Sequence, residues 1–203
     1  MRVAITLVAI TLLIGIVANA SQIVEYTSDI LEQDTDWSTI LQIQQFDPSL
    51  GELASAMVFI SAGYEGLVEI INNENEEGEY TWVASFDMDI ELPGSTLLSS
   101  LNLLNDSYFE SGWIEAGGSL DFPIGKEFFD LQIMEGEALE TFVGTGNIDL
   151  PIWTETFSHL QIYFLDGSID FSASAWASLT VTYIFDSDTP SREDSWSSIK
   201  AIY

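Results

Sequence analysis

The 203-residue chain carries 33 Asp and Glu against 4 Lys and Arg, a formal charge of −29, with 47% hydrophobic and 12% aromatic residues and no cysteine. That apolar content excludes a disordered acidic tail, and the shortage of cations excludes nucleic acid as a natural partner, since neutralising phosphates takes clustered Lys and Arg. The absence of cysteine removes disulfides, thiol nucleophiles and thiolate metal sites together.

Residues 1–20 read as a secretory signal peptide: Arg2, an apolar run from Val3 to Val17, and the small-x-small triplet Ala18-Asn19-Ala20 with cleavage expected after Ala20. The run is shorter than the roughly 18 residues of a spanning helix, so no stable membrane span is expected after cleavage. Removing it takes away Arg2 and no acid, which makes the mature chain one unit more negative than −29.

Residues 21–185 are expected to form one all-β domain, an antiparallel β-sandwich of jelly-roll or Greek-key type, followed by a polar tail over 186–203 that contains Pro190. Turn-forming residues recur at Asp47-Pro48, Ala62-Gly63, Asn72-Asn73, Pro93-Gly94, Gly117-Gly118, Gly144 to Gly146 and Asp166-Gly167, and the runs between them alternate with a period of two. In chain order the spacing predicts strands over 22–26, 38–44, 53–61 and 66–71. The next runs from Tyr80 to Leu92, where Tyr80, Trp82, Ala84, Phe86, Met88 and Ile90 face a core and Asp87, Asp89 and Glu91 face water. Thr96 to Leu104 reads as a short helix or a loop crossing one end of the sheets, and further strands are predicted over 127–133, 139–142, 146–150 and 156–164. The last strand, Phe171 to Phe185, is small and apolar on one face and Ser- and Thr-rich on the other, with Trp176 breaking the polar face.

Several segments together resemble the choice-of-anchor E domain, a family of exported bacterial and archaeal surface domains. They are Asp36-Trp37, then Gln45-Phe46-Asp47-Pro48-Ser49-Leu50-Gly51-Glu52-Leu53, then Gly66 to Asn75, then Phe142-Val143-Gly144-Thr145-Gly146-Asn147-Ile148-Asp149-Leu150-Pro151, and the terminal run Ser172 to Tyr183. The resemblance implies a β-sandwich outside the cell, often held to the surface by a C-terminal sorting signal, with no assigned enzymatic activity. The end of this chain departs from that pattern: after Phe185 comes DSDTPSREDSWSSIKAIY, with no apolar anchor and basic stop.

No catalytic constellation is evident. The only histidine, His159, lies in a strand pattern beside Leu160 without the base and orienting group that nucleophilic catalysis needs. The Gly144-Thr145-Gly146 turn sits between strands rather than before a helix, so it supplies backbone freedom and not a phosphate cradle. Carboxylate pairs of the glycosidase kind arise by chance among so many acids, and nothing singles one out.

Calcium is the candidate cation, because it takes six to eight oxygen ligands. Asn73, Glu74, Asn75 and Glu77 in the acidic loop after residue 72, and the strand residues Asp87 and Asp89, are the candidate ligands, against the plainer reading of a solvated charged face. Asn105 heads the sequon Asn105-Asp106-Ser107 and is the candidate glycosylation site, expected in a loop. The acid excess fits a protein in high salt, where screening at a Debye length of about 3 Å near 1 M removes self-repulsion, or one in acid.

These readings lead to a secreted, non-enzymatic structural or adhesive protein of the cell surface, whose partners are its own copies or other surface proteins and which builds filaments by donating a terminal strand, Ser21 to Glu32 or the tail, into a neighbour. The alternative is an extracellular carbohydrate- or ligand-binding module using Trp113, Trp153 and Trp176 as stacking platforms.

Overall fold

The computed structural model describes residues 21–91, 101–163 and 166–187; the signal peptide, the cleavage site at Ala20 and the tail beyond Ser187 lie outside them. Eight strands form: β1 (Ser21–Asp34), β2 (Ser38–Gln44), β3 (Glu52–Asn72), β4 (Gly78–Ile90), β5 (Leu101–Ile114), β6 (Ser119–Met134), β7 (Asn147–Tyr163) and β8 (Gly167–Asp186). They make two four-stranded antiparallel sheets, in the orders β1-β8-β3-β6 and β2-β7-β4-β5. Strands adjacent in sequence mostly fall in opposite sheets, and the interleaved order is that of an eight-stranded jelly roll.

The core follows the alternation. Even-numbered residues of β3 and β4 and odd-numbered residues of β8 point between the sheets, so Val58, Ile60, Trp82, Phe86, Met88, Leu179, Val181 and Tyr183 are buried. β4 contains the predicted run from Tyr80 to Ile90 and starts two residues before it, at Gly78. Leu92, the expected last residue of that strand, lies outside the described residues, and β8 extends a few residues beyond the predicted run at its start.

Four expectations are corrected. The runs at 53–61 and 66–71 are a single strand of 21 residues, because Gly63 is no turn: a Cβ there would meet the Trp176 indole at 2.7 Å, so the glycine makes room for a ring lying across the sheet. The same geometry explains why Trp176 interrupts the polar face of β8. The runs at 146–150 and 156–164 are likewise one strand, β7, in which Pro151 lies opposite Ile40. The segment 139–142 is a 3-10 helix, Gly136–Phe142, not a strand. Leu101–Leu104 open β5, a strand missed altogether, and Asn105 therefore sits within a strand and not in a loop.

The two segments that carry the most specific part of the resemblance meet in space. Phe46 N–H donates to the Phe142 carbonyl at 2.8 Å, Gly144 N–H donates to the Phe46 carbonyl at 2.9 Å, and Gln45 Nε2 donates to the Thr141 carbonyl at 2.9 Å. Gly144 has φ +158, and a Cβ on it would collide with the Gln45 side-chain oxygen. Asp47 caps the 3-10 turn Pro48–Leu50 by accepting from Ser49 N–H at 2.8 Å, a contact that holds its carboxyl below the usual range. Phe46 and Phe142 of these motifs close the β1/β2 side of the core against Tyr183.

Candidate functional site

The candidate calcium ligands do not form one site. Asn73, Glu74, Asn75 and Glu77 lie at the start of β4 and Asp87 and Asp89 near its end, with the length of the strand between them. The loop is organised by Asn72, which is buried. Its Nδ2 donates to the carbonyls of Glu76 at 2.8 Å and Glu115 at 3.0 Å, while its Oδ1 accepts from Glu74 N–H at 3.0 Å. The Glu74 carbonyl accepts from Gly117 N–H at 2.8 Å. The Glu74, Glu76 and Glu115 carbonyls thus each accept a hydrogen bond from the chain itself, and the four candidate side chains are exposed. Among the described residues no group of three or more His, Asp or Glu side chains converges as a metal centre would require.

On the outer face of the β2-β7-β4-β5 sheet, Asp87 and Asp89 are matched by amides from β5. Asn105 donates to Asp87 at 2.7 Å and Asn102 to Asp89 at 3.1 Å. Partial burial, then the neighbouring Asp89 and Glu155, push the Asp87 carboxyl above its ordinary value. The expected glycan acceptor Asn105 is exposed, and its amide is committed to Asp87.

The other half of that face is aromatic. His159, Val83 and Phe109 lie in one row across β7, β4 and β5, with Phe157 opposite Ser85 in the next row. Phe109, Trp113 and Phe157 are 67%, 65% and 58% exposed. Of the three tryptophans expected as platforms, only Trp113 is a large exposed surface; Trp153 is half-buried opposite Asp89, and Trp176 covers Gly63.

The outer face of the β1-β8-β3-β6 sheet is divided differently. Along β1 and β8 it is a ladder of acids and hydroxyls: Thr27 and Thr180 meet at 3.0 Å, Ser174 donates to Glu32 at 2.8 Å, and Thr182 donates to Glu25 at 3.2 Å. Toward the free edge at β6 the rows become Thr182-Met57-Ile133, Thr180-Phe59-Leu131 and Ser178-Ser61-Phe129. These nine residues include no charge. Phe129, Leu131 and Ile133 are each half exposed or more, and Phe129 stacks on Phe59 at 6.4 Å between centroids. Monomeric proteins rarely leave such contiguous apolar surface without a use. The signal was present in the sequence: FFDLQIM over 128–134 puts apolar residues on both parities of a strand, which a one-sided strand does not need.

A polar cluster joins the two sheets where β5 meets β6. Lys126 Nζ donates to Asp106 Oδ1 at 2.7 Å, Tyr64 Oη donates to Asp106 Oδ2 at 3.2 Å, and the Tyr64 and Tyr108 hydroxyls hydrogen-bond each other. Burial first, then Tyr108 and Asp106, raise the Tyr64 phenol far above its ordinary value. None of these residues was singled out from sequence, because their association depends on which strands become neighbours.

No family model matches the chain, and no curated protein matches it. Among solved structures, the chain is similar to VP2 in the subviral particle of infectious bursal disease virus, with a TM-score of 0.27 and 13% identity over 83% of this chain and 38% of that one. The same virus's Gt strain structure gives a TM-score of 0.23 and 9% identity over 83% and 38%. The chain thus spans well under half of those viral chains, and a likeness at these scores carries no argument about function. Among the described residues no helix is long and apolar enough to cross a membrane.

Proposed function

We propose that the chain is a secreted, non-enzymatic structural or adhesive protein of the cell surface that associates with its own copies by β-strand pairing. The observation that supports this reading most is the uncharged apolar window at the free β6 edge of an otherwise strongly acidic molecule. An edge strand presents unpaired main-chain donors and acceptors, and apolar side chains beside them favour a strand from another chain. Of the expected donors, Ser21 to Glu32 lies within β1, already paired to β8 of its own sheet, and the tail beyond Ser187 lies outside the described residues. Donation of β1 would therefore be an exchange of an existing pairing, whereas β6 has, among the described residues, a strand partner on one side only. Light scattering on the chain from Ser21 onward, at low and high salt, with calcium and with chelator, tests the reading. High-mass species that grow with salt are expected; a monomer in every condition overturns it.

A second reading, an extracellular carbohydrate-binding module, draws on the exposed Phe109, Trp113 and Phe157 with small hydroxyl residues between them. Trp113→Ala is then expected to abolish glycan binding while leaving the fold intact, and a glycan array without signal removes this reading.

A further inference from the structure

We infer that two copies of the chain join their β6 strands edge to edge about a two-fold axis at Leu131, making one continuous eight-stranded sheet; this rests on the self-association proposed above and names its surface and register.

The two halves of β6 differ in how they treat the open edge. Residues 119–127 carry Asp121, Pro123, Gly125, Lys126 and Glu127, and charged residues and proline are the devices by which edge strands resist pairing. Residues 128–134, Phe128 to Met134, carry none of these except Asp130, whose carboxylate is held by the Gln132 amide of the same strand. Protection stops where the apolar window begins.

The remaining edges are less suited. β1 places Glu25 and Asp29 on its outer face and bears a register shift between Ile30 and Gln33. β2 is 7 residues long, and its Gln42 N–H already donates to Ser28 Oγ at 3.2 Å. β5 carries Asp106 and Glu110 toward the seam it shares with β6.

A two-fold axis normal to the sheet keeps each face on its own side, so only residues of the same parity come opposite one another. With the axis at Leu131, Leu131 meets its own copy, Phe129 meets Ile133 of the second copy, Phe128 meets Met134, and Asp130 meets the Gln132 amide. Moving the axis to Asp130 sets two carboxylates against each other. Moving it to Gln132 sets Asp130 against Met134 and Phe129 against Glu135. Only the Leu131 register matches every position from 128 to 134, and that self-complementarity points to a second copy as the occupant. Its one liability is Glu127 opposite Glu135 at each end, a like-charge pair that salt screens.

The cysteine-free chain makes the register directly readable. Leu131→Cys, oxidised mildly at high salt, is expected to give a disulfide-linked dimer, because residues facing across antiparallel strands bring their Cβ atoms close to disulfide range. Mixing Phe129→Cys with Ile133→Cys chains is expected to give the mixed dimer in excess over either homodimer. Trp113→Cys, on the other sheet and more exposed than Leu131, serves as the control and is expected to cross-link at least about 10-fold less, since it lies outside the pairing geometry. Leu131→Lys, which changes a half-exposed outward residue, is expected to keep the circular dichroism spectrum and lose the association. Cross-linking of Leu131→Cys no faster than Trp113→Cys, or association that survives Leu131→Lys, overturns the β6 pairing while leaving self-assembly standing. A wild-type chain that stays monomeric throughout, with no cross-link at Leu131→Cys, overturns both.

Discussion

The sandwich is closed along its two long sides by different chemistry. On the β1/β2 side the closing group is Tyr183, fully buried, with Tyr26, Phe46 and Phe142 edge-on at 6.0, 5.8 and 6.3 Å and its hydroxyl donating to the Gln44 carbonyl at 2.9 Å. On the β5/β6 side it is Tyr64, stacked on Phe86 at 4.0 Å, whose hydroxyl enters the cluster with Tyr108, Asp106 and Lys126. Both tyrosines come from central strands and both must satisfy a buried hydroxyl. One uses a main-chain carbonyl inside a ring cluster, the other a carboxylate shared with the one lysine among the described residues. A seam of rings depends on packing; a seam of charges depends on pH and on a single partner.

The largest expected effect breaks the ring seam. Tyr183→Ala removes the ring that three others meet and leaves a cavity no neighbour can fill without moving the Phe46 turn, so a loss of about 3–5 kcal/mol in urea unfolding is expected. Asp106→Ala on the other side removes the acceptor of Tyr64 and Lys126 but leaves the Tyr64-Phe86 stack and the Tyr108 hydroxyl in place, and about 1–3 kcal/mol is expected. Equal losses from the two changes would mean that the seams do not differ in kind.

How far each seam could be read from sequence follows from the range of the interactions. Strict alternation from Tyr80 to Ile90 and along β8 fixes which side chains face inward, because that signal is local; it delivered the sandwich and most of the core. It could not deliver Tyr64 with Asp106 and Lys126: Tyr64 lies 42 residues from Asp106, and Asp106 lies 20 from Lys126, gaps bridged only once β3, β5 and β6 are neighbours. Gly63 misled for a related reason: a glycine that makes room for a ring on the adjacent strand looks, in sequence, like a turn. The acidic loop differs again: the buried amide of Asn72, donating to two carbonyls and accepting from Glu74 N–H, fixes its backbone, and those contacts form only once the chain ends of β3, β4 and β5 are brought together. The stripe of Phe129, Leu131 and Ile133 left a local trace, apolar residues on both parities of one strand, but which parity is exposed depends on sheet order.

The comparison sharpens in alkali. Burial, then Tyr26, raises the Tyr183 phenol, and the hydrogen bond to Asp106 raises the Lys126 ammonium, as burial and Tyr108 raise Tyr64. In each case the folded chain holds the proton more tightly than the unfolded chain. The resulting stability is whole below the ordinary values of 10.0 and 10.5 and is lost as pH rises past them. The unfolding midpoint is therefore expected to fall above about pH 10. Tyr64 is held further from its ordinary value than Tyr183, so Tyr64→Phe should flatten that fall more than Tyr183→Phe does; the reverse order would place the alkaline sensitivity in the ring seam.

The smallest effect separates a carboxylate that has a cation from one that does not. Asp106 has Lys126, but Asp87 has only the Asn105 amide, and it is pressed by Asp89, Glu155 and Asp106 itself. Its pKa is raised above 3.8, so ionisation costs the fold: whatever Asp87 contributes is present below that value and lost as pH rises through the raised one. Asp87→Asn keeps an oxygen to accept from Asn105 and removes the repulsion. A gain of a few tenths to about 1 kcal/mol is expected at pH 7, the range of cross-strand charge pairs, shrinking toward zero below the ordinary carboxyl range. A gain that persists undiminished in acid would show that shape, not charge, is what the asparagine improves, and the neutral-pH loss at Asp106→Ala would then need to be read as lost packing as well.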